Sequence, residues 1–286
     1  MPPSTRSNFD FHMHTDQSDG FVSPAAVWDL VSAEKFEGVS ITDHDTLDAY
    51  THFSTESLYG DHSGDTTWIV PGVEFSTRMD DLELHVLGYF PGGLSAGLHD
   101  FVKIVMEQRD ARMAEGIRQL QQRGVGITVR DCLEVAGGRV LSRSHVEQVL
   151  VAKRYVTHAR AAYRHLLSST VFPIPTPVTT DVIGVIGELG GISVWAHPYR
   201  AHFDRYFETL VSAGLQGIEV YNLWRRREEV RYMEQEAQTR DLVVTGGSDW
   251  HGRKGSDPLG SLRIDSNSVA AFLQRLSSQQ ARSDDS

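Results

Sequence analysis

Histidines and carboxylates able to hold divalent metal ions recur through this sequence: His12, His14, Asp19, His44, Glu74, His85, His197, Asp249 and His251. Nearly every one stands at the end of a short apolar run that reads as a β-strand. Residues two apart on a strand share a face, so His12 with His14, and Asp249 with His251, could each grip one ion together. Imidazole and carboxylate without thiolate suit a hydrolytic transition-metal site rather than a structural zinc clip. Metal-dependent hydrolysis is the chemistry the set implies.

Taken singly, each residue has a plainer reading. One His-x-His on a strand is weak, but it gains from Asp19 in the Ser18-Asp19-Gly20 turn, which can return a carboxylate toward the strand end. Asp43-His44-Asp45 could be a helix-capping turn, or Asp43 and Asp45 could orient imidazoles. Glu74 follows Pro71-Gly72-Val73 in an apolar setting, where an unpaired carboxylate is costly, and this favours a ligand. His85 and His197 alone could be satisfied core histidines. Asp249-x-His251 follows Gly246-Gly247, whose missing side chains let the backbone approach closely. The signals strengthen one another because they share the carboxyl ends of successive strands. Trp250 alternates to the opposite face and reads as core. Arg225-Arg226-Arg227 precedes Glu228 and Glu229 and reads as a solvated helix face. His52, His62, His99, His158, His165 and His202 lack a ligand-like context.

The elements that would position this set alternate strand with helix. Strands are expected over Phe9 to His14, Val39 to Thr42, Trp68 to Val70, Val73 to Ser76, Leu84 to Tyr89, Ile192 to Ala196, Gly217 to Tyr221 and Leu242 to Thr245. Ser23-Pro24 opens a helix running through about Phe36 and closed by Gly38. Other helices fall near Phe203 to Ala213 and Arg225 to Thr239. Such units predict an α/β fold with a parallel sheet, closed into a barrel, whose loops after the strands carry the chemistry. The middle breaks the rhythm. A long helix from Phe101 to Arg123, further helical stretches to Ser168 and the linker Pro173, Pro175, Pro177 predict a helical insertion over the barrel mouth. The expected organisation is a first barrel part over 8–99, the insertion or lid over 100–177, a second barrel part over 178–278, and a disordered tail over 279–286.

Composition narrows the partners. A chain of 286 residues buries an ample core. Its single cysteine excludes a disulfide scaffold or thiolate zinc site and agrees with the cytoplasm. Met1 to Asn8 lacks the apolar core of a signal peptide, and no apolar run approaches the roughly 20 residues of a membrane span. A net charge of −11 argues against an extended nucleic-acid surface, though not against an anionic substrate met by bound cations.

Eight motifs follow in fixed order: Asp10-Phe11-His12-Met13-His14, Ser18-Asp19-Gly20, Ile41-Thr42-Asp43-His44-Asp45-Thr46, Gly72-Val73-Glu74, His85-Val86-Leu87-Gly88-Tyr89, Ala196-His197-Pro198, Gly217-Ile218-Glu219-Val220-Tyr221 and Gly247-Ser248-Asp249-Trp250-His251. In this order they resemble the PHP (polymerase and histidinol phosphatase) superfamily. Within it, the chain is most similar to the stand-alone branch with nucleoside 3′,5′-bisphosphate phosphatases. The resemblance implies a distorted (β/α)7 barrel and three divalent ions, of manganese, iron or zinc. His12, His14, Glu74 and Asp249 would hold the first, Glu74, His85 and His197 the second, and Asp19, His44 and His251 the third. Where relatives have Arg-Pro-His this chain has Arg143-Ser144-His145, so Arg143 and His145, with Arg200, are the expected substrate residues. The ions outweigh Asp19, Glu74, Asp249 and a bridging hydroxide, leaving positive charge for a phosphate dianion. The expected reaction is in-line attack by that hydroxide on a small phosphate ester such as a nucleotide, with no protein residue assigned as acid or base and the protein acting as a monomer. A phosphodiesterase or 5′-3′ exonuclease on oligonucleotide ends or cyclic phosphates, and a non-catalytic metal-binding module, are the other readings.

Overall fold

The structure, a computed structural model, describes residues 8–53 and 67–284. The leader up to Ser7 and His62 lie outside the described residues. Strands β1 (Phe9–Met13), β2 (Gly38–Ile41) and β3 (Trp68–Ile69) form a parallel sheet. A second sheet runs in the order β4 (Gly72–Met79), β5 (Leu82–Tyr89), β6 (Ile192–Trp195), β7 (Gly217–Tyr221) and β8 (Val243–Gly246). Backbone hydrogen bonds cross from sheet to sheet at two seams: Asp45 N–H to the Glu74 carbonyl at 3.1 Å, and Asp249 N–H to the His12 carbonyl at 2.8 Å. Every strand expected from the sequence is present.

Their directions are not all as expected. β5 runs antiparallel to both β4 and β6. Only Asp80 and Asp81 separate β4 from β5, with Asp80 at φ 56°, and so short a turn allows a hairpin but no crossover. Consequently His85 enters from the first half of a reversed strand, and Glu74 is the third residue of β4. The shared register at carboxyl ends therefore fails for these two.

Strand β1 shows how one segment builds core and site together. Phe9 and Phe11 point to an aromatic cluster with Trp68, Tyr89 and Phe272, the Phe11 and Phe272 rings 5.0 Å apart. Asp10, His12 and His14 alternate to the other face.

Helix α1 (Pro24–Ala33) begins as its Ser23 cap and Pro24 predict, with the Ala26 N–H donating to Ser23 Oγ at 3.4 Å. It ends earlier than expected, because Lys35 turns at φ 57° and Gly38 already belongs to β2. Between β5 and β6 come α2 (Ala96–Gln122), α3 (Val129–Val135), α4 (Arg143–Ala152), α5 (Ala159–His165) and α6 (Thr179–Glu188). The last was not foreseen. Helices α7 (Arg200–Ser212), α8 (Arg227–Thr239) and α9 (Ala270–Asp284) complete the described chain. Helix α9 includes Gln279 to Asp284, expected as a loose tail; Phe272 and Leu276 anchor its start, and the polar residues beyond are compatible with helix. No described helix is long and apolar enough to cross a membrane.

Candidate metal centre

The nine residues singled out above meet. Within each of three groups, one ligand atom per residue lies within 4.8 Å of the others: His14, Asp19, His44 and His251; His12, His14, Glu74 and Asp249; and His44, Glu74 and His85. His197 joins through its Nε2, 2.9 Å from Glu74 Oε1. Glu74 is the hub. Its Oε1 also lies 2.8 Å from His85 Nδ1, while Oε2 lies 3.2 Å from His12 and His14 Nε2 and 3.1 Å from His44 Nδ1. The groups overlap more than a strict division into three sites implies, since His14 and His44 each belong to two.

Local structure explains the convergence. Asp43 caps no helix and touches no imidazole nitrogen. It accepts from Thr15 N–H at 2.7 Å and from the Thr15 and Ser18 hydroxyls at 2.5 Å, pinning the loop that carries Asp19. Asp45, in the left-handed region at φ 54°, accepts from Ser76 N–H at 2.8 Å and from Arg109 Nη1 at 2.6 Å. His197 and Asp249 also sit at positive φ, 30° and 52°, a conformation the surrounding structure must enforce. Gly247 allows the closest approach: a Cβ there would fall 2.2 Å from His12 Cβ.

The carboxylate that orients imidazoles is Glu219, fully buried on β7. His12 Nδ1 donates to Glu219 Oε1 at 2.9 Å, and the His197 backbone N–H donates to Glu219 Oε2 at 2.7 Å. This tautomer aims His12 Nε2 at the cluster. Sequence reasoning quoted Glu219 in a motif but gave it no role; a carboxylate within the apolar strand Gly217–Tyr221 was the available signal. Arg225 was misread as a solvated helix residue. It is buried and donates to the Pro198 carbonyl at 2.8 Å, beneath the loop after His197.

The charge balance calls for cations. Burial opposes charge on His12, yet Glu219, Glu74 and Asp249 outweigh it and hold the imidazole well above its ordinary range. Burial likewise opposes charge on His85 and His251, but Glu74 raises the first to about 10 and Asp19 the second to about 10. Glu74 stays well below the carboxylate range despite burial, because imidazoles surround it. Four buried atoms here, His14 Nδ1, Asp19 Oδ1, His44 Nδ1 and Glu74 Oε2, make no well-aligned hydrogen bond, although their charged neighbours lie 3.1–3.9 Å away. Nitrogen and oxygen donors converging around shared carboxylates fit divalent metal ions.

The expected substrate residues are placed unevenly. Arg143 opens α4 and pairs with Glu83 at 3.0 Å; Glu83 in turn lies 3.5 Å from His85 Nε2. His145 is buried, and its Nδ1 accepts from Ser142 N–H at 3.1 Å, leaving Nε2 as the donor. Burial keeps this imidazole below its ordinary range. Arg200 faces away into the surface of α7, held by Asp204 at 2.8 Å and lying 3.6 Å over the Tyr232 ring. Trp250 packs partly buried against the core, as read from its alternation.

No family model matches the chain. Curated relatives do. It is 28% identical to the 5′-3′ exoribonuclease Rnm of Salmonella typhimurium, covering 85% of each chain. The same identity relates it to the phosphoribosyl 1,2-cyclic phosphate 1,2-diphosphodiesterase of Eggerthella lenta, over 89% of this chain and 98% of the other. It is 26% identical to the 3′,5′-nucleoside bisphosphate phosphatase of Chromobacterium violaceum, over 86% of this chain and 87% of the other. A solved structure from Bifidobacterium adolescentis, described as a metal-dependent phosphoesterase, superposes with a TM-score of 0.79 at 27% identity, over 96% of this chain and 98% of that one. The chain is a metal-dependent phosphoesterase. The three curated relatives differ in substrate, so this likeness fixes the class of reaction and leaves the alcohol half of the ester to the residues outside the cluster.

Proposed function

We propose that this chain hydrolyses a terminal phosphate ester of a nucleotide, of which a nucleoside 3′,5′-bisphosphate is the small-molecule form. The overlapping donor groups around Glu74 carry the reading, together with the nucleotide substrates of two relatives. We read the two sheets, joined at both seams, as a distorted barrel with the centre at its mouth and the helical segment 100–177 as its lid. His12, His14, Glu74 and Asp249 would hold one divalent ion, Glu74, His85 and His197 a second, and Asp19, His44 and His251 a third. Ions so held would supply an activated water as nucleophile and neutralise charge on the phosphate oxygens.

The protein's own part is placement. Glu74 offers each oxygen to a different set of imidazoles. Glu219 fixes the ring of His12 and the backbone of His197, and Asp43 fixes the loop of Asp19. Arg143 exchanges its contact with Glu83 for a bidentate grip on phosphate, and His145 donates from Nε2 beside it. Arg200, spent on Asp204 and Tyr232, is the least suited of the three. We read the protein as a monomer and, from its single cysteine Cys132, as cytoplasmic.

The test is a phosphate-release screen of manganese-loaded protein against nucleoside bisphosphates, cyclic phosphates, sugar phosphates and short oligonucleotides. Inorganic phosphate from a bisphosphate is the expected product. Replete protein inert toward the whole panel overturns the reading. Glu74→Gln should lose both bound metal and turnover, and a variant keeping both would remove Glu74 from the centre.

A further inference from the structure

Two large aromatic rings stand exposed on the segments that follow β6 and β7. Tyr199 is 61% and Trp224 49% accessible, yet their rings stack on each other, centroids 5.4 Å apart and inclined by 25°. Tyr199 follows candidate ligand His197 by two residues, a span of at most roughly 7 Å. Trp224 comes three residues after the end of β7, whose Glu219 orients His12. Isolated exposed aromatics are ordinary; this pair is built. Buried Arg225 bridges beneath it, donating to the Pro198 carbonyl at 2.8 Å and lying 5.2 Å from the Trp224 ring. The Arg225 backbone N–H closes the loop onto Asn222 Oδ1 at 2.9 Å. The exposed Arg226 and Arg227 follow in the chain, with Arg226 Nη1 4.0 Å from Glu228.

We propose that Tyr199 and Trp224 form a stacking platform for a nucleobase of the substrate. The proposal rests on the reading that the substrate is a nucleotide. A solvent-facing π surface backed by a buried arginine suits a base whose phosphate reaches the metal centre, and every base offers such a face. The base could belong to a mononucleotide or to a single strand, because the stacking chemistry is the same.

The test compares kcat/KM for a nucleoside 3′,5′-bisphosphate and for a 5′-phosphorylated trinucleotide, each divided by that for glycerol phosphate, which has no base. In Trp224→Ala and Tyr199→Ala the ratio should fall about 5- to 150-fold, mainly through KM, the range expected for one lost base–aromatic contact. Phe at either position should restore most of it. A fall confined to the trinucleotide assigns the platform to a strand; a fall with both assigns it to the mononucleotide's own base. Ratios unchanged in both variants overturn the proposal, including the case where all substrates suffer equally because the loop is damaged. Binding is read separately from turnover, as a change in the fluorescence that Trp224→Phe removes, on adding adenosine 5′-monophosphate or the trinucleotide. If the wild type shows that change but hydrolyses nothing, the platform stands and the hydrolytic reading falls. If it hydrolyses nucleotides while both fluorescence and ratios ignore Trp224, the platform alone falls.

Discussion

At the scale of single residues, Glu219 and the histidines make the sharpest predictions. Glu219 is fully buried and holds His12 Nδ1 and the His197 backbone. Glu219→Gln should weaken metal binding about 10- to 100-fold, the range for partners of metal-binding histidines. Metal content after dialysis should drop, and excess manganese should restore turnover; a loss of turnover that excess metal cannot restore would assign Glu219 a different part. The histidines also set a pH dependence. In metal-free protein His85 and His251 are raised to about 10, above the ordinary value near 6.5. A group raised on folding contributes stability that is complete below its unfolded pKa and disappears as pH climbs through the folded one. The melting temperature of chelated protein should therefore fall between about pH 6.5 and 10, while that of metal-loaded protein changes less. Metal ions must displace those protons, so calorimetric titration in buffers of different ionisation enthalpy should show proton release on loading. Equal heats in both buffers would contradict the assignment.

At the scale of elements, the seam between β1 and β8 decides whether donors from opposite ends of the chain meet. Gly247 lies against His12 so closely that Gly247→Ala must push β8 away. Overpacking of this kind costs about 1–3 kcal/mol, and here the displaced strand end carries Asp249. Lower thermal stability and reduced metal content are expected together, and a variant with both intact would show the seam to be more yielding than its contacts imply. The seam also illustrates what the sequence could disclose. Gly246-Gly247 before Asp249 signalled close approach, His-x-His signalled a shared strand face, and Ser23-Pro24 signalled a helix start, because each is a local rule of geometry. Reversal of β5 was concealed, since strand direction depends on the connection, and the two-residue Asp80-Asp81 turn alone carried that information. Arg225 was hidden for a related reason. Its neighbours Arg226, Arg227, Glu228 and Glu229 are a solvated charge run, and only tertiary packing sends the first member inward onto Pro198. Glu219 was visible as a carboxylate in an apolar strand, but not its partner 207 positions away.

At the scale of the whole molecule, the chain has separate apolar cores joined by one helix and a polar seam. The first half of α2 packs Leu98, Val102 and Val105 into the core of the sheets, and its second half packs Met113, Ile117 and Leu120 into a core with Val146, Leu150 and Phe172. Between them, Arg109 reaches Asp45 and Ser76 on one side and the Leu141 carbonyl at 2.9 Å on the other. Ion pairs of Arg143 and Arg112 with Glu83, of Arg139 with Asp16 and of Arg253 with Glu147 span the rest of the seam. Such contacts couple two bodies less strongly than shared apolar packing, and salt weakens the exposed ones. Leu150→Ala, at a fully buried site, should therefore destabilise the helical body by about 2–5 kcal/mol through the cavity it leaves. Hydrogen exchange should show α3, α4 and α5 losing protection while β1, β4 and β8 keep theirs, since local units open separately when few apolar contacts join them. Metal content should stay near wild type, because every candidate ligand lies outside α2–α5. Turnover should suffer through KM, since Leu150 shares α4 with Arg143 and His145. If the strands lost protection to the same extent as the helices, the seam would be cooperative, and the helical body could not open to admit substrate without disturbing the metal centre.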